Sequence, residues 1–155
     1  MPMDWLQELI HNPFLIASLS AWFWAQVIKT IINAFVTKSW DLTRLVGDGG
    51  MPSGHSATVS SLAVMSALVY GVGSFAFAVS FILAIIVCHD AMGVQLETEK
   101  QAQLINEIVK TFHVLTSKEL PEVKLKEFVG HTPIQVLAGI ALGVLNAILI
   151  HQWMF

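Results

Sequence analysis

What this sequence lacks most is charge. Only 12% of its 155 residues are Asp, Glu, Lys or Arg, against roughly a quarter in soluble domains, while 55% are hydrophobic. A chain so poor in charge cannot cover a water-facing surface, and at this length it reads as one membrane-embedded domain. The net charge of −3, with no basic stripe interleaved with aromatics, gives no support to nucleic-acid binding. Cysteine is almost absent as well. Cys88 alone excludes an internal disulfide framework and a Cys-based zinc site. No basic segment and no cleavage pattern accompany the first apolar run, so that run is expected to stay in place rather than to be removed as a signal. Internal repeats and low-complexity tracts are missing too.

What is present is a set of apolar runs. A short amphipathic piece with Trp5, Leu6, Leu9 and Ile10 beside Asp4 and Glu8 suits the membrane interface. Residues 13–36 then form a run long enough to span about 30 Å of hydrocarbon, interrupted by Gln26 and Lys29. Two further runs, near 55–72 and 75–94, are separated by Gly71-Val72-Gly73-Ser74, a tight break that predicts a transmembrane hairpin. The segment 95–132 is the one sizeable polar stretch. Within it Leu104, Ile105, Ile108, Val109 and Phe112 recur at helical spacing, which predicts an amphipathic cytoplasmic helix and offers a contact for a homodimer. Thr132-Pro133-Ile134-Gln135 is a capping-box pattern with Pro at the first helical position, and it opens a last run over 133–155. The expected fold is an all-α integral membrane bundle of about four transmembrane helices.

The stretch Gly49-Gly50-Met51-Pro52-Ser53-Gly54-His55 stands apart. It places a glycine-rich turn, a hydroxyl and an imidazole directly before an apolar run. A helix beginning there points its unpaired N–H groups and positive dipole end at whatever lies above the turn, and an anion is the natural occupant. With four spans, the loop 37–51, the start of span two, the end of span three and the start of span four all meet on one side. Arg44, His55, Asp90 and His131 therefore share a face. So do seven of the eight Lys and Arg residues, which assigns that face to the cytoplasm by the positive-inside rule; the membrane is expected to be the cell membrane. Asp90 at a membrane boundary points to function, because an ionised carboxylate is costly there.

These residues carry a resemblance. Pro52-Ser53-Gly54-His55, Asp90-Ala91-Met92-Gly93-Val94 and Gly130-His131-Thr132-Pro133, in this order in a membrane chain, resemble the type 2 phosphatidic acid phosphatase superfamily. More narrowly, they look like its divergent branch of acid phosphatase/vanadium-dependent haloperoxidase-related proteins. The likeness runs from about Gln26 to Gly143. It implies hydrolysis of a phosphomonoester or pyrophosphate on a lipid or polyprenyl carrier, with no metal and no cofactor. By the same resemblance His131 is the nucleophile and His55 the general acid and base, with Asp90 beside them. Arg44, Ser53, Gly54 and Lys126 form the phosphate cradle, Lys29 and Lys38 compete for the role of phosphate lysine, and Gln135 orients the imidazole. Besides its substrate, the expected partners are membrane lipids.

The departures from the pattern are specific. Lys38 and Arg44 are one residue closer than the superfamily's first element has them, and Leu45 follows where proline is usual. Leu125 stands six residues before His131, at a usual arginine, with Lys124 and Lys126 on either side. Gln135 stands at a usual acidic position, and Gln95 and Leu96 at two arginines common in the divergent branch. Lysine offers a point charge where arginine offers a fork, and an amide cannot stabilise an imidazolium by charge. Together these losses define a second reading, a protein that binds or moves a lipid phosphate without cleaving it.

Overall fold

The described residues of the computed structural model form six helices in succession: α1 (Trp5–Ile10), α2 (Pro13–Thr37), α3 (Gly54–Tyr70), α4 (Phe75–Met92), α5 (Val94–Thr116) and α6 (Pro133–Met154). The structure describes residues 4–40, 49–116, 125 and 130–155. Arg44 and Lys126, two expected members of the phosphate cradle, lie outside the described residues.

Helices α2, α3 and α4 each start where the sequence supplies a cap. The Asn12 side chain accepts from the N–H groups of Phe14 (3.0 Å) and Leu15 (3.3 Å), with Pro13 in the first turn. Ser53 caps α3 by accepting from Ser56 N–H at 3.3 Å. Ser74 caps α4 by accepting from Phe77 N–H at 3.1 Å. Such caps satisfy donors that a helix leaves unpaired at its start. The break at 71–74 is the expected hairpin: Gly71 takes φ of +80° at the end of α3, and its carbonyl accepts from Ser74 N–H at 3.2 Å. The amphipathic helix begins earlier than its apolar stripe implied. Only the turn at Gly93 separates α4 from α5, so the polar segment opens as helix at Val94.

The core is organised around α3, which packs against α2, α4 and α6. It does so through small residues. Ala17, Ala21 and Ala25 of α2 are fully buried, as are Ala57 of α3 and Ala147 of α6. At Gly139 an added Cβ would lie 2.5 Å from Ser53 O, and at Gly143 2.3 Å from Ala57 O. The α6 backbone therefore rests directly on α3, the close approach that small residues four apart allow in lipid. A buried polar knot crosses the seam: Asn146 Nδ2 donates to Ala17 O (2.8 Å) and Ser20 Oγ (3.0 Å), and Ser61 Oγ donates to Ala17 O (2.9 Å).

Outside this core the large apolar side chains face outward, as Phe23, Phe75, Ile86 and Leu149 do. That inversion suits a hydrocarbon solvent. Among the described residues three helical stretches are long and apolar enough to cross a membrane: Pro13–Thr37, Phe75–Phe112 and Pro133–Met154. A further hydrophobic helix, α3, has 17 residues, about 25 Å of rise, and α2, α4 and α6 pack around it.

Candidate functional site

The α3 cap, the end of α4 and the start of α6 meet at one end of the bundle. Ser53 N–H donates to Gln135 O at 3.0 Å, tying the turn before α3 to the first turn of α6. His131 N–H donates to Ala91 O at 3.2 Å, tying the residue before that helix to the last turn of α4. These ties bring the two histidines together. The rings of His55 and His131 lie edge to face with centroids 5.8 Å apart, close enough for one phosphoryl group to touch both. His131 is fully buried, whereas His55 is exposed. The pair thus has an inner and an outer member.

The rest of the turn is built around α2. Gly50 lies over the stem of Lys29: an added Cβ would sit 3.2 Å from Lys29 Cγ, and the φ of +101° favours glycine independently. Lys29 is 4% exposed. One and two helical turns earlier, the Gln26 amide and the Trp22 indole border Gly54. Gln26 Oε1 is buried with no hydrogen-bond partner among the described residues, and sequence reasoning did not rank it as a site residue. Within α3, Ser56 N–H is capped by the Ser53 side chain and Ala57 N–H by the Ser53 carbonyl. The first-turn donors without an intrahelical acceptor are then those of Gly54 and His55, a ready anion seat.

Several expected residues hold different contacts from those anticipated. The Gln135 amide oxygen, expected to orient the His131 imidazole, accepts from Thr132 N–H at 3.0 Å and so caps α6. The half-buried Asp90 carboxylate accepts from Gln95 Nε2 at 3.0 Å. Ser53 is fully buried, and its hydroxyl oxygen accepts from both Ser56 N–H and Ser56 Oγ. Lys38 is the exposed C-cap of α2, about 13 Å further along that helix than Lys29. Of the two competing lysines, Lys29 is the one packed against the turn.

A second set of contacts escaped the sequence reading altogether. Asn106 of α5 pairs with the backbone of Leu125 in both directions, Nδ2 donating to Leu125 O at 2.9 Å and Oδ1 accepting from Leu125 N–H at 3.0 Å. Glu99 Oε2 accepts from Gly130 N–H at 2.9 Å. Gly130 has no room for a side chain, since a Cβ would lie 2.4 Å from Leu96 Cα. A single Glu and a single Asn on a polar helix face carry no motif, so nothing in the sequence singled them out.

These features define an all-helical membrane bundle with a histidine pair and a helix N-terminus at one end. The chain belongs to the divergent PAP2 family, which matches residues 10–146. It is 42% identical over 147 residues to the uncharacterized membrane protein YuiD of Bacillus subtilis (strain 168), an alignment covering 89% of this chain and 93% of that protein. No solved structure matches the chain.

Proposed function

We propose that the protein is a lipid-phosphate hydrolase acting through a phosphohistidine. The observation that carries this reading is the contact between the His55 and His131 rings at the N-terminus of α3. Neutral His131 attacks phosphorus, the bond to the leaving oxygen breaks, and His55 gives that oxygen its proton. Water then attacks the phosphohistidine, His55 takes a proton from it, and inorganic phosphate leaves with His131 restored. Developing charge on the phosphoryl oxygens is met by the N–H groups of Gly54 and His55 and by Lys29, with Arg44 and Lys126 as further cations. The substrate is a phosphomonoester or pyrophosphate on a lipid or polyprenyl carrier, entering from the bilayer. The site faces the cytoplasm in the cell membrane, on the argument from the Lys and Arg distribution.

The second reading, binding or transport without cleavage, draws on a specific observation. Asp90 and Gln135, the groups expected to support the imidazole, are engaged by Gln95 and Thr132. One experiment separates the two. Phosphate release is measured from purified protein in detergent micelles with phosphatidic acid, phosphatidylglycerol phosphate and polyprenyl pyrophosphate, with and without EDTA. Release that vanishes in His131→Ala, drops by about 10² to 10⁴ in His55→Ala and survives EDTA supports the hydrolase. Full activity in His131→Ala would refute the mechanism, and no release from any substrate moves the weight to binding.

A further inference from the structure

The nucleophile proposed above sits just before α6, and its backbone is held from two directions. One is the α4 carbonyl of Ala91. The other is α5, which among the described elements packs only on α4. Glu99 and Asn106 are seven residues apart, two turns of helix, so they occupy one face about 10 Å apart along the axis. Both reach backbone groups of the chain that leads into His131: Leu125 through a two-way amide pair, and Gly130, the residue immediately before the histidine, through a carboxylate. The Leu96 backbone closes on Gly130 from the same helix. A carboxylate accepting from a peptide N–H makes a charge-assisted bond, the stronger kind.

We propose that Glu99 and Asn106 are positioning residues for His131, with α5 acting as a splint that fixes the nucleophile against His55. This rests on the phosphohistidine reading for its catalytic consequence, but not for its structural one. Neither side chain touches substrate. They act through the backbone at Leu125 and Gly130, and displacement of a nucleophile by 1 Å costs on the order of a hundredfold in rate.

The test uses the full chain in detergent with Glu99→Ala, Asn106→Ala, Glu99→Gln and Asn106→Asp. Glu99→Gln keeps a carbonyl oxygen for Gly130 N–H. Asn106→Asp keeps the acceptor for Leu125 N–H and loses the donor to Leu125 O. The first readout is carbethoxylation of His131 relative to His55 by diethylpyrocarbonate, followed by mass spectrometry; it needs no turnover. The His131 to His55 ratio is expected to rise about tenfold in both alanine variants, the change that follows from losing a hydrogen bond of ordinary to charge-assisted strength. Glu99→Gln stays near wild type and Asn106→Asp falls between. The second readout is kinetic: kcat drops by roughly ten- to a hundredfold in the alanine variants while KM stays within about twofold, because the anion seat on α3 is untouched. An unchanged ratio in both alanine variants would overturn the proposal. So would a raised ratio with unchanged kcat, which would make the contacts merely structural. Wild-type protein without turnover refutes the phosphatase reading instead, and the carbethoxylation ratio then decides the splint by itself.

Discussion

The two halves of the candidate site are held by different physics. His55 belongs to α3, and α3 is gripped over its length by backbone-close packing against α2 and α6 at Ala17, Ala21, Ala25, Gly139 and Gly143. His131 lies before α6, where a few discrete hydrogen bonds from Gln135, Ala91, Glu99 and Asn106 fix the turn and the chain leading into it. Packing of that first kind is a property of the whole bundle and is lost only with it. Hydrogen bonds of the second kind can be removed singly. The same site therefore has one wall set by folding and another set by local chemistry.

The sharpest way to break this contrast is to add volume on the packed side. Gly143→Val puts its Cβ 2.3 Å from Ala57 O, against backbone that cannot swing away. Overpacking of this kind costs about 1–3 kcal/mol or more, and in a seam this tight the upper end is expected. The variant should lose most of its monodisperse peak in size-exclusion chromatography, with activity falling in proportion to folded protein. A folded Gly143→Val bundle of wild-type stability would show that α6 can slide on α3.

On the other wall a smaller addition, a single methyl group, has a different outcome. Gly130→Ala meets the Leu96 backbone at 2.4 Å; Gly130 is buried, but it lies against α5, which among the described elements packs only on α4, so the overlap displaces α5 from the residue before His131 and leaves the seam of α3 with α2 and α6 in place. Activity should fall by about a hundredfold, with a smaller drop in the thermal unfolding midpoint than Gly143→Val produces. Equal losses of stability in Gly130→Ala and Gly143→Val would erase the distinction between the two walls.

How far the sequence revealed these walls follows from the same division. The capping box at Thr132, the helix start after Ser53, the break at 71–74 and the long apolar runs are local signals, and each appears where its residues place it. The turn from Gly49 to His55 and the Gly-His-Thr-Pro element were legible because they are contiguous. Their meeting followed from hairpin counting. What stayed hidden were contacts between distant residues of ordinary type. The Asn146 knot joins positions 126 and 129 apart in sequence, and Asn106 reaches 19 residues to Leu125. Gln135 is the opposite case: its local capping role, already visible in Thr132-Pro133-Ile134-Gln135, engages the amide oxygen that the family pattern turns toward the imidazole.

The finest test of the comparison lies on α2, where one helix offers a cation to each environment. Lys29 is buried with its stem under Gly50, so its charge is held beside the turn by the bundle. Lys38 caps the same helix in the open, at φ of +54°. A buried ammonium is poorly screened and acts on a nearby phosphate at close range, whereas an exposed one contributes little. Lys29→Gln, which removes the charge and keeps a donor on a stem one bond shorter, should raise KM for the phosphate ester roughly tenfold, the scale of one charge-assisted hydrogen bond. Lys38→Gln should change it by less than about twofold. Steady-state kinetics at two salt concentrations adds a second discriminator, because the Lys29 effect persists at high ionic strength and any Lys38 effect fades. A larger effect at Lys38 would mean that the phosphate binds beyond the turn, away from the histidine pair, and the anion seat at Gly54 and His55 would have to be given up.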